Sequence, residues 1–111
     1  MESIRQSKVS RLLQKEIATI LQSKDIITNH AMVSVTVVRV TSDLSFAKVY
    51  LSVFPPDKRE ETLDLIKLQA SEVRKRLGNS VRHQLRKIPE LAYYIDDSYD
   101  FALKIEDLLK K

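Results

Sequence analysis

The chain has 111 residues, 43% of them hydrophobic and 31% charged, so we expect one globular domain over residues 1–111. It has no Cys, which excludes disulfides, zinc–thiolate sites and thiol catalysis. The formal charge of +4 is modest, the N-terminus Met1–Lys8 has no signal-peptide core, and no apolar run approaches the ~18 residues of a membrane span, so we expect a cytoplasmic protein without a membrane partner.

The first predicted element is an amphipathic helix from Ser3 to Ser23, with Ser3 as its N-cap. Its apolar residues recur at three- and four-residue steps and share one stripe: Val9, Leu12, Leu13, Ile17, Ile20 and Leu21. A basic row follows the same spacing on an adjoining face: Arg5, Lys8, Arg11 and Lys15. The segment Lys24–Met32 has no period and is predicted to be a loop.

Two strands follow, over Val33–Thr41 and Phe46–Phe54, because both runs are rich in β-branched residues and alternate in polarity. The alternation changes phase at Val37-Val38, which indicates a bulge or burial on both faces. The intervening segment Ser42–Ser45 is too short for a crossover, so the strands form an antiparallel hairpin.

A helical pattern then runs from Lys58 to about Arg86, where Pro89 follows and ends it. So long a helix is unusual in a small domain, so we expect a kink, either around Ala70-Ser71 or at Gly78. Glu90–Asp96 reads as a third strand. A short final helix carries the last apolar residues, Phe101, Ile105, Leu108 and Leu109. These elements predict an α+β fold with the helices on one face of a three-stranded sheet.

The stretch Arg74–Lys87 contains no acid and is the leading candidate for a binding surface. Its basic residues are Arg74, Lys75, Arg76, Arg82, Arg86 and Lys87. The other 13 basic residues face 15 acidic ones, so the positive excess is local and favours a polyanionic partner. On a helical wheel, Lys75, Arg82 and Arg86 face solvent together. Like charges four residues apart repel by ~0.2–0.5 kcal/mol, so Arg82 and Arg86 favour phosphate binding over a merely solvated face.

Two other surfaces carry less weight. The row Arg5/Lys8/Arg11/Lys15 is a possible second RNA contact, although basic faces are often only solvated. The strand face Phe46/Lys48/Tyr50 could stack on bases, but its aromatic residues are better explained by packing.

An enzyme is not expected. His30 and His83 lie far apart, there is no phosphate-binding Gly-rich loop, and no metal or cofactor is predicted. The carboxylates Asp96, Asp97 and Asp100 form the one alternative catalytic cluster, but their place before a predicted helix favours capping.

Three parts of the chain resemble the ribosome-binding factor A family. The run Val37–Val53 is similar to the family's strand–turn–strand signature. The run Arg82–Ser98 contains Leu85-Arg86-Lys87, Pro89-Glu90-Leu91 and Asp96-Asp97-Ser98, which resemble its later signature. The pairs Arg11-Leu12 and Glu16-Ile17 also fit, so the resemblance covers nearly the whole chain in the right order.

The resemblance implies a type II KH-like fold and a monomeric, non-catalytic factor with no small-molecule substrate. Such factors bind the free small (30S) ribosomal subunit and assist its late maturation and 16S rRNA processing, notably in the cold. The alternative is a KH-like RNA-binding or protein-interaction module with a non-ribosomal partner.

The chain departs from the KH pattern, because it lacks the Gly-x-x-Gly loop that usually grips nucleic acid. The family replaces that loop with a kink, commonly Ala-Ser-Gly, whereas the matching residues here are Ala70, Ser71 and Glu72. Glu72 places a negative charge at the kink, which shifts the expected RNA contact toward Lys75 and Arg76.

Overall fold

A computed structural model describes residues 3–98 of the chain. Its elements are α1 (Ile4–Leu21), β1 (Met32–Val40), β2 (Phe46–Phe54), a 3₁₀ turn (Pro56–Lys58), α2 (Arg59–Leu68), α3 (Ala70–Val81) and β3 (Glu90–Ile95). In the sheet, β2 lies centrally, antiparallel to β1 and parallel to β3. The α+β class and the order of elements are confirmed, whereas the predicted final helix lies outside the described residues. Within residues 3–98, no helix is long and apolar enough to cross a membrane.

The core lies between the sheet and the three helices. Alternate residues of β2 are buried, as the strand pattern predicts: Ala47, Val49, Leu51 and Val53. The helices cover them with fully buried side chains: Leu13 and Ile17 from α1, Ile66 from α2, and Val73, Leu77 and Val81 from α3. Each large aliphatic side chain contributes about 1.5–3 kcal/mol on burial, so this layer fixes the helices against the sheet.

Helix α1 begins as predicted, with Ser3 as its N-cap. Ser3 Oγ accepts from the backbone N of Gln6 at 3.1 Å, and Gln6 Oε1 accepts from the backbone N of Ser3 at 2.9 Å. This reciprocal pair satisfies two otherwise unpaired donors at the helix start. The next residues of α1, Ile4, Arg5, Lys8 and Val9, line one depression with Asp43 and Leu44 of the β1–β2 turn.

Glutamine side chains of α1 cover the free edge of β1. Gln6 Nε2 donates to Val40 O at 3.0 Å, Gln14 Nε2 to Val35 O and Thr36 O at 3.1 Å each, and Gln22 Nε2 to Val33 O at 3.3 Å. Edge-strand carbonyls left open invite pairing with other chains, so these amides both satisfy and protect the edge. The register shift lies between Val35 and Val37, which confirms the predicted bulge within one residue.

The predicted kink is present. The helix breaks at Gln69, and Ala70, Ser71 and Glu72 form the first turn of α3. The Gln69 amide holds the break: its Oε1 accepts from Ile27 N at 2.9 Å and its Nε2 donates to Ile27 O at 2.7 Å. Gly78, the other candidate, lies within an unbroken α3.

The predicted end of the helical segment is wrong. Helix α3 ends at Val81, eight residues before Pro89, although residues 82–85 have good helix propensity. Tertiary packing explains the difference, because Leu85 and Ile88 pack against the core and Pro89 is fully buried. A Cβ on Gly78 would lie 3.7 Å from Ile88 Cγ1, which shows how closely the returning chain approaches α3.

Candidate nucleic-acid interface

Residues 82–89, the connecting segment, link α3 to β3 and are held at both ends. Near its start, the backbone N atoms of Gln84 and Leu85 donate to Val81 O at 2.8 and 2.9 Å. Near its end, Arg74 Nη2 donates to Ile88 O at 3.0 Å. Arg86 and Lys87 lie between these attachments with exposed side chains. The segment therefore presents two cations on an anchored backbone.

The connecting segment, the start of α1 and the β1–β2 turn enclose a groove of about 680 Å³. Four cations line it: Arg5 and Lys8 from α1, and Arg86 and Lys87 from the connecting segment. Its apolar lining comes from Ile4, Val9, Leu44, Leu85 and Pro89. We call this feature the basic groove. It joins half of the predicted N-terminal row to the end of the predicted basic stretch, although about eighty residues separate them in sequence.

A second depression, of about 520 Å³, continues from the basic groove along α3. It is lined by Ser71, Arg74, Lys75, Arg86, Lys87 and Ile88, so Arg86 and Lys87 belong to both. Because Arg86 and Lys87 line both depressions, we describe them together as the basic surface, whose six cations are Arg5, Lys8, Arg74, Lys75, Arg86 and Lys87. Among the described residues that line it, Asp43 is the single acid.

Arg76 lies apart from the basic surface and is ion-paired. Its Nη1 lies 3.0 Å from Asp25 Oδ2 and its Nε lies 3.0 Å from Glu72 Oε1. The negative charge that Glu72 brings to the kink is therefore paired within α3. Arg76 would have to give up two carboxylates before it could contact a phosphate.

Three further predicted cations also lie outside the basic surface. Arg82 is the C-cap of α3, where a positive charge complements the helix dipole. Arg11 lines a separate depression with Arg39, and Lys15 is exposed further along α1. Because α3 ends before Arg82, the expected helical face shared by Lys75, Arg82 and Arg86 does not form, although all three side chains are exposed.

The β1–β2 turn supplies two groove residues that sequence reasoning missed, Asp43 and Leu44. Asp43 Oδ1 accepts from Thr41 Oγ1, Ser45 Oγ and Ser45 N at 2.7, 2.8 and 3.1 Å. These bonds, that of Thr41 foremost, lower the pKa of Asp43 from 3.8 to about 2. Leu44 has a φ of 61°, so it adopts the left-handed conformation that a tight turn more often assigns to glycine. Nothing in the local pattern places either residue beside α1.

Asp96, a member of the alternative catalytic cluster, makes structural hydrogen bonds. Asp96 Oδ2 accepts from Thr36 Oγ1 at 2.6 Å and its Oδ1 from Ser98 N at 3.0 Å, and the Thr36 bond foremost lowers its pKa. Asp100 lies outside the described residues. Across residues 3–98, no three His, Asp or Glu side chains are grouped so as to hold a metal ion.

The strand face Phe46/Lys48/Tyr50 is partly occupied by packing. Tyr50 lies against Tyr94 of β3, with ring centroids 5.6 Å apart and an interplanar angle of 30°. Phe46 and Tyr50 are half-buried, whereas Lys48 is exposed. The tilted aromatic pair accounts for Tyr50 without a stacked base.

Comparison with known proteins identifies the family. The family model described as ribosome-binding factor A matches residues 5–109. The ribosome-binding factor A of Cytophaga hutchinsonii is 44% identical over 100% of this chain and 84% of its own length, and that of Flavobacterium psychrophilum is 46% identical over 98% and 85%.

Solved structures share the fold. The crystal structure of ribosome-binding factor A from Thermus thermophilus superposes with a TM-score of 0.69 at 20% identity, covering 81% of this chain and 94% of that one. A solution structure of a Thermotoga maritima protein, described as a putative ribosome-binding factor A, has a TM-score of 0.62 at 23% identity, covering 85% and 89%. A homology model of the Thermus thermophilus factor, fitted into a cryo-electron-microscopy map of its complex with the 30S subunit, has a TM-score of 0.60 at 21% identity, covering 87% and 97%. The chain belongs to the ribosome-binding factor A family.

Proposed function

We propose that this protein binds the free small ribosomal subunit or its precursor, without catalysis, and assists late assembly and 16S rRNA processing. Family membership supports the ribosome as the partner, and a homology model of the Thermus thermophilus ribosome-binding factor A has been fitted into a map of its complex with the 30S subunit. One observation on this chain carries the proposal. Cations that are far apart in the sequence, from residues 5–8 and 74–87, meet on one surface, the basic surface, where Asp43 is the single acid among the described residues of the lining.

The chemistry of that surface suits folded RNA. Arg and Lys neutralise phosphates, and such contacts fix position and orientation without reading base sequence. Double-stranded RNA is recognised mainly by its shape and its backbone, so a surface with several fixed cations selects an arrangement of phosphates. Bound to rRNA that is still rearranging, the protein favours one precursor conformation and dissociates when that conformation is lost.

Co-sedimentation with purified small subunits tests the proposal. The test variant changes Arg5, Lys8, Arg86 and Lys87 to Glu, and the matched control changes Lys15, Lys24, Arg39 and Lys67 to Glu. All eight side chains are exposed, and both variants have the same net charge. The test variant is expected to remain at the top of the gradient, whereas the control variant should sediment with the small subunits. Equal co-sedimentation of the two variants would overturn the role of the basic surface.

The non-ribosomal alternative makes a different prediction for the unaltered protein. In a gradient of cell lysate, our proposal places the protein with free small subunits and away from 70S particles. A KH-like module with another partner would leave those fractions empty of the protein.

A further inference from the structure

We infer that the basic groove takes one unpaired RNA nucleotide, with its base on the apolar lining and its flanking phosphates on the rim cations, and that Asp43 selects bases that carry an amino group. The inference rests on the proposed function, because it specifies what part of the rRNA the groove receives.

The size and lining of the groove can receive a base. Its volume of about 680 Å³ falls within the ~300–1,000 Å³ of typical ligand sites. Ile4 is exposed and Leu44 and Leu85 are half-buried, so these three side chains offer apolar surface to the groove, whereas Pro89 is fully buried. The apolar faces of a base favour transfer from water to such a surface. Proteins bind unstacked bases mainly from loops and bulges, where the nucleotides are unpaired.

The rim charges are placed for the phosphates on either side of that base. Arg5 and Lys8 lie on α1, and Arg86 and Lys87 lie on the connecting segment, so the groove draws its cations from two separate elements. A nucleotide within a chain has one phosphate on each side of its sugar. Two pairs of cations on separate elements therefore match the two phosphates that flank one base.

Asp43 distinguishes a base from an acidic peptide as the occupant. The Thr41 hydroxyl and the Ser45 hydroxyl and backbone N all donate to Oδ1, so Oδ2 accepts none of these three hydrogen bonds. The carboxylate is ionised at neutral pH, because its pKa is about 2. It would repel the side chain of an acidic peptide. In contrast, it can accept a hydrogen bond from the amino group of cytosine, adenine or guanine, which uracil lacks.

Fluorescence anisotropy with three short RNA hairpins tests the inference. The hairpins share one stem, which is fully paired, interrupted by one unpaired cytidine, or interrupted by one unpaired uridine. We expect the cytidine hairpin to bind about tenfold more tightly than the paired one, and at least about threefold more tightly than the uridine hairpin, which lies within the range that one net hydrogen bond supplies. Lys15→Ala, on α1 but outside the groove, should change neither ratio.

Two variants separate the roles of the turn residues. Asp43→Asn keeps an oxygen for the Thr41 and Ser45 donors but replaces the second oxygen with an NH₂ donor, so uridine should become preferred over cytidine. Leu44→Asn suits the left-handed backbone and removes part of the apolar lining, so the preference for an unpaired nucleotide should fall toward onefold. Thermal unfolding of each variant verifies that it is folded.

The outcomes separate this inference from the proposed function. If the protein binds small subunits through the basic surface but binds all three hairpins equally, the nucleotide site is overturned and the function stands. If a folded Asp43→Asn keeps the preference for cytidine, the role of Asp43 is overturned. Failure to bind both the hairpins and the subunits overturns the function as well.

Discussion

Arg76 and Arg86 provide a matched test, because they lie in the same acid-free stretch and carry the same charge. Arg86 is exposed and lines both depressions of the basic surface, whereas Arg76 is paired with Asp25 and Glu72 at 3.0 Å each. Arg86→Ala should therefore remove a phosphate contact. Arg76→Ala should remove only a local ion-pair network.

The magnitude follows from counterion release. Each phosphate contact contributes about 0.7–0.9 to the slope of log affinity against log salt, so the six cations of the basic surface give a slope of about −4 to −5. Arg86→Ala should make this slope shallower by nearly one unit. When salt rises fourfold, the variant should therefore lose about threefold less affinity than the unaltered protein does. Arg76→Ala should leave the slope unchanged. It should cost less than about 1 kcal/mol of stability, since its ion pairs are substantially exposed.

Equilibrium binding to fluorescently labelled small subunits at four or more salt concentrations measures both slopes. If Arg76→Ala flattens the slope as much as Arg86→Ala does, the ion pairs of Arg76 do not keep it from binding phosphate. If Arg86→Ala changes neither the slope nor the affinity, the basic surface is only a solvated face.

Three further predictions concern stability. Thr62→Val should raise the free energy of unfolding by about 1 kcal/mol, or about 4 °C in Tm, because the buried Thr62 hydroxyl has no hydrogen-bond partner among the described residues and Val keeps its shape. His30→Gly should raise the free energy of unfolding by about 0.5 kcal/mol, because His30 has a φ of 63° and glycine adopts this left-handed conformation without strain. The turn hydrogen bonds lower the pKa of Asp43 to about 2, so the stability that this carboxylate contributes is present above about pH 4 and is lost toward about pH 2, and Asp43→Asn should flatten this loss. The lowered pKa of Asp96 acts in the same direction, so its contribution is also lost as the pH falls.

Urea and thermal unfolding check all three. For the first, Thr62→Ser is the control: it keeps the hydroxyl, loses a buried methyl group and should be destabilising by about 1 kcal/mol. A loss of stability in Thr62→Val, or in His30→Gly, would contradict the corresponding argument. An unchanged acid dependence in Asp43→Asn would show that its turn hydrogen bonds do not couple to folding.

The helices and strands with a clear period could be predicted from the sequence. The stripe of α1 and the alternation of β2 correspond to buried side chains, and Ser3 carries its expected capping role. These features depend on residues within a few positions of one another. Local spacing therefore determines them.

The end of α3 could not be predicted in this way. Arg82 to Leu85 continue the helical period and have good propensity, but the chain turns back so that Ile88 and Pro89 can pack. The turn depends on contacts with Gly78 and Arg74, which no local pattern reveals. Tertiary burial outweighed helix propensity at this position.

The candidate site was predicted only in part, because it too depends on contacts between residues that are distant in the sequence. The basic residues were identifiable, but their grouping depends on how the sheet and α1 bring Arg5 and Lys8 beside Arg86 and Lys87. The ion pair between Arg76 and Asp25 joins residues 51 positions apart, so it could not be read from charge alone.

Site-specific photo-crosslinking shows directly whether the basic surface contacts 16S rRNA. A photoreactive amino acid is placed either at position 87, on the basic surface, or at position 67, an exposed lysine of α2 outside it. Each protein is irradiated on purified small-subunit precursors, and cross-linked RNA is mapped. Cross-links to 16S rRNA are expected from position 87 and not from position 67; cross-links from position 67 alone would show that the basic surface does not contact the rRNA.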